Sequence, residues 1–289
     1  MIASLSMKDH FSLIAPRYKS LRTTDLEPVL YIKEQLKNLT TIQAADIGCG
    51  SGRYPARLLQ HLRGRLHFLC VDYSQMMLRQ LTAHLTRQGI QSFQAIRASA
   101  MDLPVRDAAI DCVLTFNAIH HFEIPPFLRE AERVLKDGGY LFIYTRLRSQ
   151  NGKNIWGTFF PMFAAKETRL YEINELQSAL AAETPRLEID NLRLFRYERH
   201  SSLTRLVEQA THFHYSTFRL YAQSEFKDSL EQFRRNIQQY FDDLNNISWA
   251  DENILLVIRK NELSSCATMA RKCLPGSSWC SLPDGENQV

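Results

Sequence analysis

The chain has 289 residues, enough for one large domain with an insertion or for two small ones, and enough to bury a core without disulfides or metals. Its 35 basic and 31 acidic residues are spread along the sequence and leave a formal charge of +4, so a nucleic-acid partner is neither demanded nor excluded. No apolar run approaches the ~18 residues that a membrane-crossing helix needs, so no membrane partner is expected.

The first twenty residues are broken by Lys8, Asp9 and Arg17 and do not read as a signal peptide, which makes a cytoplasmic location the expectation. Residues 1–40 are expected to form an N-terminal helical cap segment. From 42 to 146, short β-rich runs alternate with helical patterns, the signature of βαβ units around a parallel sheet. The spacing predicts strands at 43–47, 66–71, 93–97, 110–116 and 140–145, with helices at 53–62, 75–88 and 126–136 between them. The last of these helices is expected to close on "KDGG", a glycine past its end supplying a left-handed cap.

An aromatic stretch, "NIWGTFFPMF", follows at 154–163, then a helix near 172–182, a long strand at 186–198 and helical material from 201 to 244. Phe226, Leu230, Phe233, Ile237, Tyr240 and Leu244 keep a three-or-four spacing and predict one buried stripe. "ENILLVIRK" returns as a final strand at 252–260. The expected organisation is a nucleotide-binding-type domain over 41–199 and 251–260, a helical lid inserted at 200–250, and a tail over 261–289 expected to be disordered. Cys49, Cys70 and Cys112 read as reduced core thiols, and Cys266, Cys273 and Cys280 as thiols of that tail, spaced unlike a zinc site. His200, His212 and His214 have no acidic or cysteine partner at a ligand spacing, so no metal is expected.

"AADIGCGSGRYPARLL", 44–59, joins the first strand to a helix through three glycines on alternate positions. Such a turn leaves backbone N–H groups and open space at the carboxyl end of a strand, where open α/β sheets bind ligands. The dinucleotide fingerprint would need glycine at position 53, which is Arg53, and Asp46 would repel a pyrophosphate while favouring a cationic ligand.

On these residues the sequence resembles the class I S-adenosylmethionine-dependent methyltransferases, particularly the small bacterial ones, from about Phe11 to Lys260. The resemblance implies a Rossmann-like α/β fold, with a seven-stranded, mostly parallel sheet, helices on both faces and a helical lid before the last strand. It implies S-adenosylmethionine as cofactor, with its methionine part on Asp46, Gly48, Cys49, Gly50 and Gly52, and its ribose on Asp72 in "CVDYS", beside Tyr73. Met77 completes the "S-x-x-M" pattern, and Ala100 and Met101 in "ASAMDLP" would flank the adenine. The family often has an acid where this chain has Ser99, a loss that Asp102 or backbone groups would compensate. "FSLIAPRYKSLR" resembles the segment that folds over the cofactor, which would make Tyr18 and Arg22 part of the closure.

"TFNAIHHF", 115–122, corresponds to the segment between cofactor and acceptor, so Asn117 is read as a cofactor contact and His120 and His121 as candidate catalytic groups. Trp156, Phe159 and Phe160 are either core or an apolar wall for the acceptor. The expected activity is methyl transfer to a small-molecule acceptor by direct displacement. The alternatives are a tRNA-modifying enzyme of the wobble-uridine type, disfavoured by the lack of a concentrated Lys/Arg stripe, and a non-catalytic cofactor-binding interaction protein. An NAD-dependent oxidoreductase is set aside on Asp46 and Arg53, and the oligomeric state is left open.

Overall fold

The computed structural model describes residues 22–62 and 64–262; Tyr18 and the tail cysteines Cys266, Cys273 and Cys280 lie outside them. Helix α1 (Glu27–Gln35) has Pro28 in its first turn and buries Val29 and Ile32. Then β1 (Ile42–Ile47), α2 (Arg53–His61), β2 (Leu66–Asp72), α3 (Gln75–Arg87), β3 (Phe93–Arg97) and β4 (Ile110–Phe116) alternate. Helix α4 (Ile124–Val134) leads into β5 (Leu135–Thr145). Three short helices follow, α5 (Arg148–Asn151), α6 (Ile155–Phe159) and α7 (Phe163–Lys166), then α8 (Ile173–Glu183) and β6 (Leu187–Ser201). Helices α9 (Leu203–Thr211) and α10 (Gln223–Tyr240) precede the last strand, β7 (Ile247–Lys260).

The seven strands form one sheet in the order β3-β2-β1-β4-β5-β7-β6. The first five run parallel, and β7 is antiparallel to both β5 and β6. The chain moves outward from β1 through β2 to β3 and then crosses back to β4, so the carboxyl ends of β1 and β4 flank a switch point where such sheets open a crevice. Both faces of the sheet are covered, which is why β1 and β4 read as nearly continuous apolar runs. Ala44 packs on the side of α1, α2 and α3, and its neighbour Ala45 on the side of α4 and α8.

A third core stands apart from the sheet. Ile155, Trp156, Phe160 and Phe163 pack with Leu206, Ala210, Phe218, Phe233 and Ile237. The helices inserted before the last strand, expected as a lid, thus share one aromatic core with the run at 155–163.

Three expectations need correction. "KDGG" does not cap a helix: α4 ends at Val134, Leu135 is already extended, and the two glycines lie inside β5. They form a bulge, where pairing with β4 jumps from Ile110↔Leu135 to Cys112↔Tyr140. Gly139 is there because a Cβ would stand 2.9 Å from the Lys136 carbonyl oxygen and 3.0 Å from that of Asp111. The predicted stripe on α10 fails at Tyr240, which is 71% exposed because the last turn runs past the lid core, and Leu244 lies beyond the helix. The final strand begins at Ile247, five residues early, because it pairs along the whole of β6 down to Ser201.

Candidate cofactor and acceptor site

The turn after β1 is tied to the end of β2. The N–H groups of Gly48 and Cys49 donate to the Val71 carbonyl at 2.8 and 3.1 Å, and that of Gly50 donates to Asp72 Oδ2 at 2.9 Å. Asp72 Oδ1 accepts from the Ser74 N–H at 2.8 Å, and Ser74 Oγ caps α3 by accepting from Met77. Gly48 has φ +73°, and a Cβ there would lie 2.6 Å from the Ala118 Cβ. The turn is therefore wedged between β2 and the segment after β4.

Above it opens a cavity of about 560 Å³. Gly48, Gly50, Asp72, Tyr73 and Met77 form one wall, and Ala100 and Met101 another. Asn117, His120, His121 and Arg22 line the side toward the lid. Two of the residues singled out in the glycine stretch face elsewhere. The Cys49 side chain lies in the core beside Cys70, burial pushing its thiol well up, and Gly52 is needed where α2 meets α3, since a Cβ would stand 2.9 Å from Leu81 Cγ. Ser99 lines the cavity but turns its hydroxyl to the Met101 N–H at 3.2 Å, and the exposed Asp102 does not reach the cavity to replace a missing acid.

Asp46 is buried beneath the turn, outside the cavity lining, and among the described residues its Oδ1 has no hydrogen-bond partner. Burial first and the neighbouring Asp72 second push its carboxyl well above the usual range. Asp72 is also raised, by burial, against the pull of the two N–H groups that it accepts. Two carboxyls are thus held in low dielectric beneath and beside a large cavity, an arrangement that a cation relieves and a pyrophosphate aggravates.

A second, smaller cavity of about 170 Å³ adjoins the first, and Arg22, Asn117 and His120 line both. Asn117 sits at φ +53°, its N–H bound to the Tyr144 carbonyl at 2.7 Å, and ends β4 at the junction. His120 follows in a short 3-10 turn and is half-buried, its Nδ1 shielded from solvent and without a partner among the described residues. Burial, then Arg169 and Arg22, bring its pKa down to about 3, so the ring is neutral. His121 lines only the larger cavity, its ring 4.0 Å from that of His120. Of the aromatic stretch, Trp156 borders the small cavity, while Phe159 and Phe160 belong to the lid core.

The small cavity is polar. Arg146, at the carboxyl end of β5, forms a buried ion pair with Asp251 of β7. Arg199 of β6 holds Asp25 at 2.5 Å, and Asp25 also accepts from the Tyr144 hydroxyl at 2.7 Å. The Arg22 guanidinium lies over the Tyr215 ring, 4.1 Å from its centre. Arg22 thereby lies between the two cavities, and Thr23 and Asp25 line the smaller one. None of Asp25, Arg146, Asn151, Arg199, Tyr215 or Asp251 stood out in the sequence, although Arg146 directly follows the fifth strand, where ligand groups gather.

A sequence profile described as "Methyltransferase domain" matches residues 45–143, the segment that carries the glycine turn, Asp72 and the junction residues. This match, over about a third of the chain, together with the fold, supports the class I S-adenosylmethionine-dependent methyltransferase family. S-adenosylmethionine is the cofactor of this methyltransferase family, and the residues present fit it. The cradle at Gly48 excludes any side chain, and the orphaned Asp46 oxygen and the raised Asp72 carboxyl suit a ligand carrying an ammonium and a sulfonium.

Curated relatives include the tRNA (carboxymethyluridine(34)-5-O)-methyltransferase ALKBH8 of Mus musculus, 27% identical over 60% of this chain and 24% of its own length. Another is the chain of Bos taurus named "Probable tRNA methyltransferase 9B", 26% identical over 50% of this chain and 30% of its own. The chain therefore spans under a third of the length of these relatives. Among solved structures, the cyclase SpnF has a TM-score of 0.57 at 17% identity, covering 88% of this chain and 94% of its own. That likeness shows the fold alone. Among the described residues, no helix is long and apolar enough to cross a membrane.

Proposed function

We propose that the protein transfers a methyl group from S-adenosylmethionine to a small, polar acceptor seated in the second cavity, by direct displacement. The observation that carries this reading is the junction: Arg22, Asn117 and His120 line both cavities, so a molecule in the smaller one abuts the contents of the larger. When bound, the cofactor would supply a methyl group on a positively charged sulfur, which leaves as a neutral thioether once the acceptor takes the methyl.

The protein's part is placement. Asp72 and the glycine turn hold the nucleoside and methionine ends, Met77, Ala100 and Met101 supply apolar contact, and Asn117 fixes the junction. Holding two reactants in an attack geometry supplies roughly 7–11 kcal/mol of a barrier. His120, neutral and half-buried, offers a hydrogen-bond partner at Nδ1 without adding charge, and its low pKa makes it a weak base near neutrality. The lid core packs Trp156 against the acceptor end and excludes water. The polar lining favours a polar acceptor over the apolar one that the aromatic stretch suggested.

A second reading, methylation of tRNA, is favoured by the names of the two relatives above. Purified protein incubated with methyl-labelled cofactor, a small-molecule extract and bulk tRNA separates the two. Label in the small-molecule fraction supports the first reading, and label in the tRNA fraction the second. Label in neither, with cofactor product bound tightly, would favour a cofactor-binding protein without transferase activity.

A further inference from the structure

The small cavity holds a buried donor with nothing to donate to. Asn151 ends α5, is 4% exposed and lines this cavity, and among the described residues its Nδ2 has no partner. Its orientation is fixed by its neighbours. Asn154 caps α6 by accepting from the N–H groups of Trp156 and Gly157 at its Oδ1, which leaves its Nδ2 to point at Asn151. That Nδ2 donates to the Asn151 carbonyl at 2.9 Å and to Asn151 Oδ1 at 3.3 Å. The amide of Asn151 is therefore locked with its oxygen used and its NH2 group unanswered. Gly157 closes the lock, because a Cβ there would stand 2.0 Å from the Asn151 carbonyl oxygen.

The charges around this donor favour a negative partner. Arg22, Arg53, Arg146 and Arg199 line the cavity with Asp25, Glu167 and Asp251. Each of these acids is already engaged: Asp251 by Arg146 and Arg199, Asp25 by Arg199 and Tyr144, and Glu167 by Arg169 and by the Thr217 hydroxyl at 2.6 Å. Four guanidiniums thus line the cavity against three carboxylates, and Arg22 acts also on two histidines of the lining, His120 and His214. Burial and then nearby arginines, Arg169 and Arg22 for His120, Arg22, Arg205 and Arg146 for His214, hold the two rings neutral.

We propose that the second cavity is an acceptor subsite that recognises a carboxylate, with Asn151 Nδ2 and the Arg22 and Arg146 guanidiniums as its donors. This rests on the proposed function. At about 170 Å³ the cavity is close to the ~150 Å³ that holds a benzene, so it takes a group of about benzoate size. The carboxylate belongs either to a free acid of that size or to an acidic arm of a larger molecule.

The test is calorimetric titration of acetate and benzoate, against acetamide and benzamide, into protein loaded with S-adenosylhomocysteine. The acids should bind at least tenfold more tightly than the amides, and Asn151→Leu should remove most of that difference while leaving S-adenosylhomocysteine affinity within about twofold. Should Asn151→Leu fail to fold, Asn151→Asp keeps the acceptor for Asn154 and sets a negative charge against the ligand, and it should abolish the preference for acids. Displacement of benzoate by bulk tRNA would place the carboxylate on an RNA arm, and indifference to tRNA would leave the free acid. Equal affinity for acid and amide, or no binding of either to protein that holds S-adenosylhomocysteine, would overturn the carboxylate subsite. Failure to hold S-adenosylhomocysteine at all would instead contradict the function on which it rests.

Discussion

Gly48 shows how a single residue ties sequence to site. It needs both a left-handed backbone, φ +73°, and the absence of a side chain 2.6 Å from Ala118. Gly48→Ala is expected to cost about 1–3 kcal/mol, measured by urea denaturation, and to abolish S-adenosylhomocysteine binding in whatever protein still folds. His120 carries the pH dependence. Its ring titrates near the ordinary 6.5 when unfolded and at about 3 when folded, so between those values the unfolded chain binds the extra proton. Stability is fully present above about pH 6.5 and is lost progressively as the pH falls toward 3, and the buried His214 acts in the same direction. Denaturant midpoints at pH 7 and pH 5 should therefore fall with acidity, and His120→Gln should flatten part of that fall. Because His120 stays neutral across pH 5–8, no limb of the activity profile in that window should vanish in the His120→Gln variant.

At the scale of elements, the first four strands were legible to within a residue because they are short β-rich runs bounded by polar and turn residues, β1 and β4 nearly continuously apolar and the edge strand β3 half-exposed. The start of β5 was not, because Lys136, Asp137, Gly138 and Gly139 carry the composition of a turn while the backbone makes a bulge. Gly139→Ala should destabilise by about 1–3 kcal/mol in denaturant unfolding, since the neighbours of the new Cβ are backbone carbonyls that cannot move aside cheaply. The lid makes a separate prediction. Trp156 stacks on Phe233 with ring centres 5.2 Å apart and meets Phe218 edge-on at 5.3 Å. Trp156→Ala should cost about 3–5 kcal/mol and raise protease cutting between 155 and 240, with S-adenosylhomocysteine affinity nearly intact because Trp156 does not line the larger cavity.

At the scale of the molecule, the cofactor side was readable because its parts come in order along one βαβ unit: glycine turn, Asp72, Met77, then the stretch after β3. The acceptor side was not, because it is assembled across the sheet and lid from residues far apart in sequence. Arg146, Asn151, Arg199 and Asp251 are ordinary surface residues by composition, and only the fold turns them inward. That division also explains why the matched family segment ends at residue 143, before most of the small cavity's lining begins. The central claim, that the cavity over the glycine turn holds S-adenosylmethionine through Asp72, is tested most directly by calorimetric titration of S-adenosylhomocysteine into the wild type and Asp72→Ala, with NADH as the control ligand. Micromolar binding that weakens at least tenfold in the variant, about 1.4 kcal/mol, with no heat from NADH, is the predicted result. Equal binding to both proteins, or binding of NADH and not of S-adenosylhomocysteine, would contradict it.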